Sequence, residues 1–433
     1  MTIPTASVQT LGCKVNQFES AALGRMLVEA GFLLVPKDRP ADLTVINTCT
    51  VTHRADFEVR NLARRAHRAN PAGRTVITGC LAQLRPEEMA GLPGVVLVAG
   101  QDKKGEILRL LEGLREPALV VPPPGASGVI LDLGFPAFDR TRTFFRVQDG
   151  CGAGCSYCTV PAARGPSRSL PLERVLAGLE HYAGQGYAEV VLTGIHLGAW
   201  GLDLAPGLDL AYLLDRVTED ENGPRLRLSS VEPNEVGEDI QHLLGSRTRI
   251  CPHLHLPLQS GSDRILRAMC RPYTARTFRE LVLNLHAIRE DLCFGADVMA
   301  GFPGEKDEDF TRTIELVSAL PLAYLHVFPF SRRPGTPAAA MSGQVPEPVK
   351  KRRVSQLREL GGRKRIEFFH RFLGRVRPAL VENSPDRATG LARGLTDNYL
   401  RVLIAPPAPP PGTTALVRLE RIGPDGRVYG RTA

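Results

Sequence analysis

No stretch of this 433-residue chain approaches the about 18–20 uninterrupted apolar residues that cross a bilayer, which excludes a membrane-spanning helix. Its start, MTIPTASVQTLGC, lacks the cationic and apolar segments of a secretory signal, so the LGC there is not expected to be a lipoprotein site. Low complexity is confined to APPAPPPG (405–412), and no internal repeat appears beyond an alternation of strand-like and helix-like segments. Disorder as the main state is excluded too, since hydrophobic residues make up 43% and charged residues of both signs 23%. The expectation is a cytoplasmic protein of several domains. Thiols stay reduced in that compartment, so nine cysteines point to metal or catalytic use rather than a disulfide framework.

Net charge is equally scarce over most of the chain. The whole carries Lys+Arg 54 against Asp+Glu 46, a formal +8. From Pro346 to Ala433 there are 18 basic and 8 acidic residues, which leaves 36 and 38 for the preceding 345. All of the positive excess therefore lies in the last fifth. A basic terminal module on a near-neutral body points to an anionic polymer as partner, nucleic acid first and a membrane surface second; a solvated Arg-rich helix is the plain alternative.

Periodicity divides the chain into an α/β protein of three parts. SVQTLGC, DLTVINTC, TVITGC and VVLVAG read as strands, with helical patterns over ESAALGRMLVEAG, from His53 to Ala69, near Pro86 and from Asp102 to about Glu112. Repeated βα units imply an open parallel sheet domain over 1–115. Residues 116–141, with VPPPGASG, read as a linker. Six further strands are expected at 144–148, 188–194, 225–230, 253–259, 294–301 and 323–330, with a clear helix from Thr274 to Arg289. They imply a partial (β/α)6-type barrel over 142–345. A basic connecting helix (346–374) then leads to a Gly/Pro-punctuated tail (375–433) that reads as a small β-barrel.

Cysteine spacing carries the chemistry. Cys151-Gly-Ala-Gly-Cys155-Ser-Tyr-Cys158 places three thiols within eight residues of a Gly-rich loop just after a strand. Three thiolates can each bind one iron of a cubane and leave the fourth open to a substrate or cofactor. A zinc site, inert thiols and a phosphate-binding glycine loop are the rivals; the last lacks the third glycine and the helix opening. A second set of three, Cys13, Cys49 and Cys80, stands at the ends of three predicted strands. Carboxyl ends of neighbouring parallel strands share one edge, where ligands bind, so these thiols are expected to converge. Cys251, Cys270 and Cys293 have no such spacing, and packing is the default reading for them.

At this point the chain resembles the radical S-adenosylmethionine methylthiotransferases. LGCKVNQFES, INTCTVT and TGCLAQ resemble that family's N-terminal cluster domain. CSYCTVPAARGPSRS, VVLTGIHLG, RLSSVEP, HLHLPLQSGSDRIL, ADVMAGFPGE and FPFSRRPGTPAA resemble its barrel motifs, and the basic end resembles its RNA-binding TRAM domain. KVNQ after the first cysteine resembles the members acting on threonylcarbamoyladenosine at tRNA position 37. Two departures stand out: the Gly152-Ala153-Gly154 spacer is smaller than is common, and Met269-Cys270-Arg271 stands where Met-Asn-Arg is usual.

The resemblance implies two 4Fe-4S clusters, one on Cys151, Cys155 and Cys158 that binds and reductively cleaves S-adenosylmethionine, and an auxiliary one on Cys13, Cys49 and Cys80 that delivers sulfur. It further implies hydrogen abstraction from carbon 2 of the adenine, methyl from a second S-adenosylmethionine, the tRNA anticodon stem-loop as partner and an electron donor such as a flavodoxin or ferredoxin. Isopentenyladenosine or a ribosomal protein as substrate, and a non-enzymatic iron–sulfur RNA-binding sensor, are the alternatives. As an RNA handle, the tail after Arg375 is expected to be removable without loss of the cofactor chemistry.

The barrel strands add a polar interior. In HLHLPLQ the period of two sets His253, His255, Pro257 and Gln259 on one face and Leu254, Leu256 and Leu258 on the other. With leucines outward against helices, His and Gln line a cavity; a metal on the two histidines is the rival reading. Thr193, Gly194, Ser230, Glu232, Gln259 and Arg271 fall at strand ends or in the loops beyond, where S-adenosylmethionine would lie, with Arg271 placed to pair its carboxylate. Caps, turns and ion pairs are the bland alternatives for each. Glu305 reads as a helix-start residue.

Overall fold

The computed structural model describes residues 3–50, 52–138 and 140–433; Val51 of INTCTVT and Asp139 of the expected linker lie outside them. The N-terminal sheet is parallel throughout, in the order Leu33–Leu34, Thr5–Thr10, Leu43–Thr48, Arg74–Gly79, Val95–Ala99, Ala118–Val120. Leu43–Thr48 is buried along its whole length, as a central strand covered on both faces must be. The helix Lys14–Glu29 begins five residues before the apolar pattern that announced it, because its first turns bury polar Asn16 and Glu19 alongside Val15 and Phe18 and so break the apolar period. The stretch 116–141 is no free linker. Ala118–Val120 completes the sheet, and Ile130 and Leu133 are buried in the main core.

Six parallel strands follow as two sets of three: Arg142–Arg146, Glu189–Thr193 and Arg225–Leu228, then His253–Gln259, Cys293–Ala300 and Leu322–Pro329. Single bridges, Leu226 to Ile250 and Ser230 to His255, join the sets into a crescent. Among the described residues the first and last strands do not pair, so the barrel is open on one side. Leu254, Leu256 and Leu258 pack in one core with Phe278, Val282 and Leu285 of the helix Ala275–Ile288, as the period-two pattern requires.

The N-terminal domain closes that open side. Phe18 meets Phe145 of the first barrel strand at 6.4 Å, and Arg333, just after the last strand, pairs with Asp56 at 2.8 Å. Between them lies a buried ionic network. Glu19 contacts Lys104, Arg146 (3.2 Å) and Arg164 (2.9 Å), and Asp149 contacts Arg164 at 2.7 Å. Burial alone would raise the Glu19 carboxyl, but the surrounding Arg164, Lys104 and Arg146 hold it far below its ordinary 4.5. A carboxylate depressed on folding stabilises the native state above its unfolded value and loses that contribution as pH falls. Glu19→Gln is therefore expected to cost about 3–5 kcal/mol near neutrality. Its deficit relative to the unsubstituted protein should shrink between about pH 5 and pH 2. Denaturant titrations across that range check this; a deficit independent of pH would remove the carboxylate from the account.

The long helix Glu347–His370 buries Val354, Leu357 and Leu360 in the main core, while Arg353 reaches Glu305 at 2.6 Å. Glu305 thus anchors the basic helix, and it precedes the helix Asp307–Ala319 rather than starting it. The tail is a closed five-stranded barrel, ordered Val376–Val381, Ala392–Thr396, Arg401–Ile404, Val428–Thr432, Thr414–Ile422. It also forms the floor of the larger barrel. Arg225 donates to the Leu395 carbonyl (2.9 Å) and Arg227 to that of Asp397 (2.9 Å), and the Tyr399 ring lies 4.2 Å from that of His253.

Candidate active site

The chain leaves the first barrel strand through Gln148–Asp149 and enters an irregular loop, Cys151–Cys158, before the helix Val160–Arg164. Gly150 is obligatory at the entry: its φ is +75°, and a Cβ there would stand 1.8 Å from the Pro166 carbonyl oxygen. Backbone bonds hold the loop, with Cys151 N–H donating to Gly165 (3.0 Å) and Ser156 N–H to Met269 (3.1 Å). Each sulfur has its own polar neighbour. Ala153 N–H donates to Cys151 Sγ and Val160 N–H to Cys158 Sγ, both at 3.4 Å, and Arg271 Nη1 donates to Cys155 Sγ at 3.2 Å. Nothing lies within 4 Å of where Cβ atoms would stand on Gly152 and Gly154, so the small spacer leaves the face of the loop open. Burial pushes the Cys158 thiol up to about 12, only partly offset by the Val160 amide, so binding iron there must displace a proton.

Of the strand-end residues, Arg271 touches this loop directly. Thr193 is buried at the end of the second strand, and Gly194 admits Gln148, whose Oε1 would sit 2.7 Å from a Cβ. Ser230 bridges the two halves of the crescent. Gln259 adopts a left-handed φ of 63°, and its buried Oε1 has no hydrogen-bond partner among the described residues. Arg271 is already engaged by Glu232, by Tyr273 Oη (2.9 Å) and by Cys155, so it ties the loop to the strand ends as well as facing them. Sequence reasoning missed His196 and Glu235. His196 Nδ1 lies 3.5 Å from Cys151 Sγ and its Nε2 contacts Glu235. Burial would lower this imidazole, but hydrogen bonds with Cys151 and Glu235 raise it to about 10. The available signal was its place two residues beyond Gly194, in a strand-end loop.

The second thiol set lies at the carboxyl edge of the N-terminal sheet. Cys13 caps the helix Lys14–Glu29, Cys49 follows the strand Leu43–Thr48 and Cys80 opens the helix Cys80–Leu84. Each stands just past its strand rather than being its last residue, because the helix or loop that follows has already begun. The three strands are neighbours in register, Thr10 beside Asn47 and Thr48 beside Gly79. Gly12, at φ +104°, lets the Cys13 loop fold onto Cys49, whose Sγ would be 3.0 Å from a Cβ there. Asn16 locks the two loops, donating to the carbonyls of Leu11 (2.7 Å) and Thr48 (2.9 Å). Gln101 donates to Cys80 Sγ at 3.2 Å. Arg164, on the helix after Cys158, lies within charge range of Cys13 and Cys80; burial opposes its charge, while Asp149, Glu19, Cys80 and Cys13 sustain it. Cys251 and Cys293 are buried, and Cys270 is exposed on a left-handed turn.

Inside the crescent His253, His255, Asp297, Tyr324 and His326 form a connected polar group. Lys14, beside Cys13, reaches within charge range of Tyr399, Arg142 and Asp297, and burial lowers its ammonium. A groove of about 910 Å³ leads in from the surface past Arg140, Arg142, Arg365, Arg401, Tyr324 and His326.

A crescent of six parallel strands with a three-thiol loop after the first defines a radical S-adenosylmethionine protein, and residues 145–317 match the Radical SAM superfamily. Residues 5–100 match the family described as Uncharacterized protein family UPF0004. The chain belongs to the radical SAM tRNA methylthiotransferase family. It is 37% identical to the threonylcarbamoyladenosine tRNA methylthiotransferase of Bacillus subtilis, covering 92% of this chain and 90% of that one. The protein of the same description from Aquifex aeolicus is 39% identical, over 91% and 95%. A tRNA-2-methylthio-N(6)-dimethylallyladenosine synthase from Opitutus terrae is 33% identical, over 89% and 90%. A solved radical S-adenosylmethionine methyltransferase from Kitasatospora setae shares the fold, with TM-score 0.57, 17% identity and coverage of 78% and 77%. Membership implies a 4Fe-4S cluster and S-adenosylmethionine. The residues fit: the three thiols are partly exposed, each has a polar neighbour, and the face of the loop at Gly152 and Gly154 is open.

Proposed function

We propose that this chain adds a methylthio group to carbon 2 of threonylcarbamoyladenosine at position 37 of tRNA. The observation that supports the reading is the presence of two three-thiol sets in one chain, with Lys14, next to Cys13, making no ion pair among the described residues. A half-buried cation without an ion pair suits an adenosine whose side arm ends in a carboxylate. It does not suit the apolar arm of dimethylallyladenosine, which disfavours that alternative.

In this reading Cys151, Cys155 and Cys158 hold one cluster, Cys13, Cys49 and Cys80 hold a second that is the source of sulfur, and Thr193, Gly194, Ser230, Glu232, Gln259 and Arg271 surround S-adenosylmethionine. A cluster held by Cys151, Cys155 and Cys158 would supply the electron for reductive cleavage of S-adenosylmethionine. The chain's own residues do the rest of the positioning. Arg271 orients Cys155 and Glu232, and Lys14 and Arg142 receive the carboxylate arm. Tyr399 and Tyr324 offer ring faces to an unstacked anticodon-loop base, and the groove arginines meet its phosphates. The basic small barrel adds TRAM-like RNA contacts with salt-dependent affinity. A flavodoxin or ferredoxin would serve as reductant, in the cytoplasm.

Mass spectrometry of tRNA nucleosides from cells with and without this protein tests the reading. The expected difference is the methylthio group on threonylcarbamoyladenosine, present only with the protein. A methylthio group lost from dimethylallyladenosine instead would overturn it.

A further inference from the structure

The lumen of the crescent holds a side-chain group that neither thiol set uses. His255, Asp297 and His326 stand on three adjacent parallel strands, with Asp297 in register with both Pro257 and His326. His255 Nε2 lies 3.0 Å from Asp297 Oδ1, and His326 Nδ1 lies 3.4 Å from the same oxygen. One nitrogen of each imidazole and one carboxylate oxygen all fall within 4.8 Å of one another. In a tetrahedral site with bonds of about 2.0–2.1 Å, donor atoms stand about 3.3 Å apart, so two of the three separations already match.

The surroundings orient the group. His255 Nδ1 is 3.0 Å from the Tyr324 hydroxyl, which is also 2.8 Å from His253 Nε2. That bond fixes the ring and leaves Nε2 aimed at Asp297, the arrangement by which ligating histidines are held. Tyr324 can lie across the lumen only because its register neighbour is Gly295, where a Cβ would stand 2.1 Å from the ring. His326 is 63% exposed and Asp297 25%, so the group is closed on the Tyr324 side and open toward the groove.

We propose that His255, Asp297 and His326 bind one first-row divalent cation, of the zinc or iron(II) class, with at least one coordination position open to the lumen. Two imidazoles and one carboxylate are the borderline donor set that such ions take, and three protein ligands leave room for water or for an oxygen of a molecule in the cavity. The site is distinct from both thiol sets, and its cation binding does not depend on which nucleoside the enzyme modifies.

The test uses the full chain with its clusters in place, dialysed against zinc sulfate and analysed for zinc and iron. The unsubstituted protein is expected to hold one zinc more per chain than either Asp297→Asn or His326→Gln, at equal iron content. Zinc-edge X-ray absorption should show nitrogen and oxygen ligands without sulfur. His326 is largely exposed, so His326→Gln keeps the fold should Asp297→Asn disturb it. Equal zinc in the unsubstituted protein and His326→Gln, or a sulfur shell around the extra zinc, overturns the proposal.

Discussion

Cys151→Ala is expected to abolish reductive cleavage of S-adenosylmethionine while leaving the protein folded. The sulfur contributes little to stability: the residue is half-buried, and its backbone bond to Gly165 survives the substitution. The cost should be about 1 kcal/mol or less, a shift of a few degrees in melting temperature. The functional loss is of a different order. A set of three thiols with one removed has two places for a cubane, and no other cysteine among the described residues is held by the loop. Deoxyadenosine formation under anaerobic reduction, measured by chromatography, should fall to background. Undiminished cleavage would sink the assignment of this loop.

Cys80→Ala is expected to separate the two halves of the chemistry. Cys80 stands in the N-terminal domain, bonded to Gln101 there, and none of the hydrogen bonds that shape the Cys151–Cys158 loop involves it. Iron content should fall by about half if each set holds a four-iron cluster. Deoxyadenosine should still form, but no methylthio group should reach tRNA. Iron analysis, deoxyadenosine release and nucleoside mass spectrometry on one preparation distinguish this from general unfolding, which would remove all three. A methylthio product from Cys80→Ala would take the sulfur-donating role away from this thiol set.

The small barrel is the point at which expectation and structure diverge most. Its charge announces RNA, and its groove-facing arginines agree with that. Yet Arg225 and Arg227 are bound to its backbone carbonyls and Tyr399 covers His253, so it is also the floor under the lumen. Removing everything after Arg375 would expose buried charges on the larger barrel, so such a truncation does not isolate RNA binding.

Patterns that repeat over a few residues were legible in the chain itself. The βα alternation, the period-two face of HLHLPLQ, the CxxxCxxC loop and the position of Cys49 and Cys80 at strand ends all follow from local geometry, because helix and strand periods are short. The concentration of positive charge in the last 88 residues is a count. Contacts between distant segments leave no such period. Glu19 meets Arg146 and Arg164 across 127 and 145 residues, Asp56 meets Arg333 across 277, and Lys14 comes to face Asp297 only when the N-terminal domain closes the crescent. A buried Glu, Lys or Arg reads in sequence as a surface residue, since burial of charge is tolerated only where partners arrive from elsewhere in the fold. That is why the two cysteine triplets could be picked out from the chain alone, while the polar lumen, the lysine near it and its histidine–aspartate group belong to the tertiary structure.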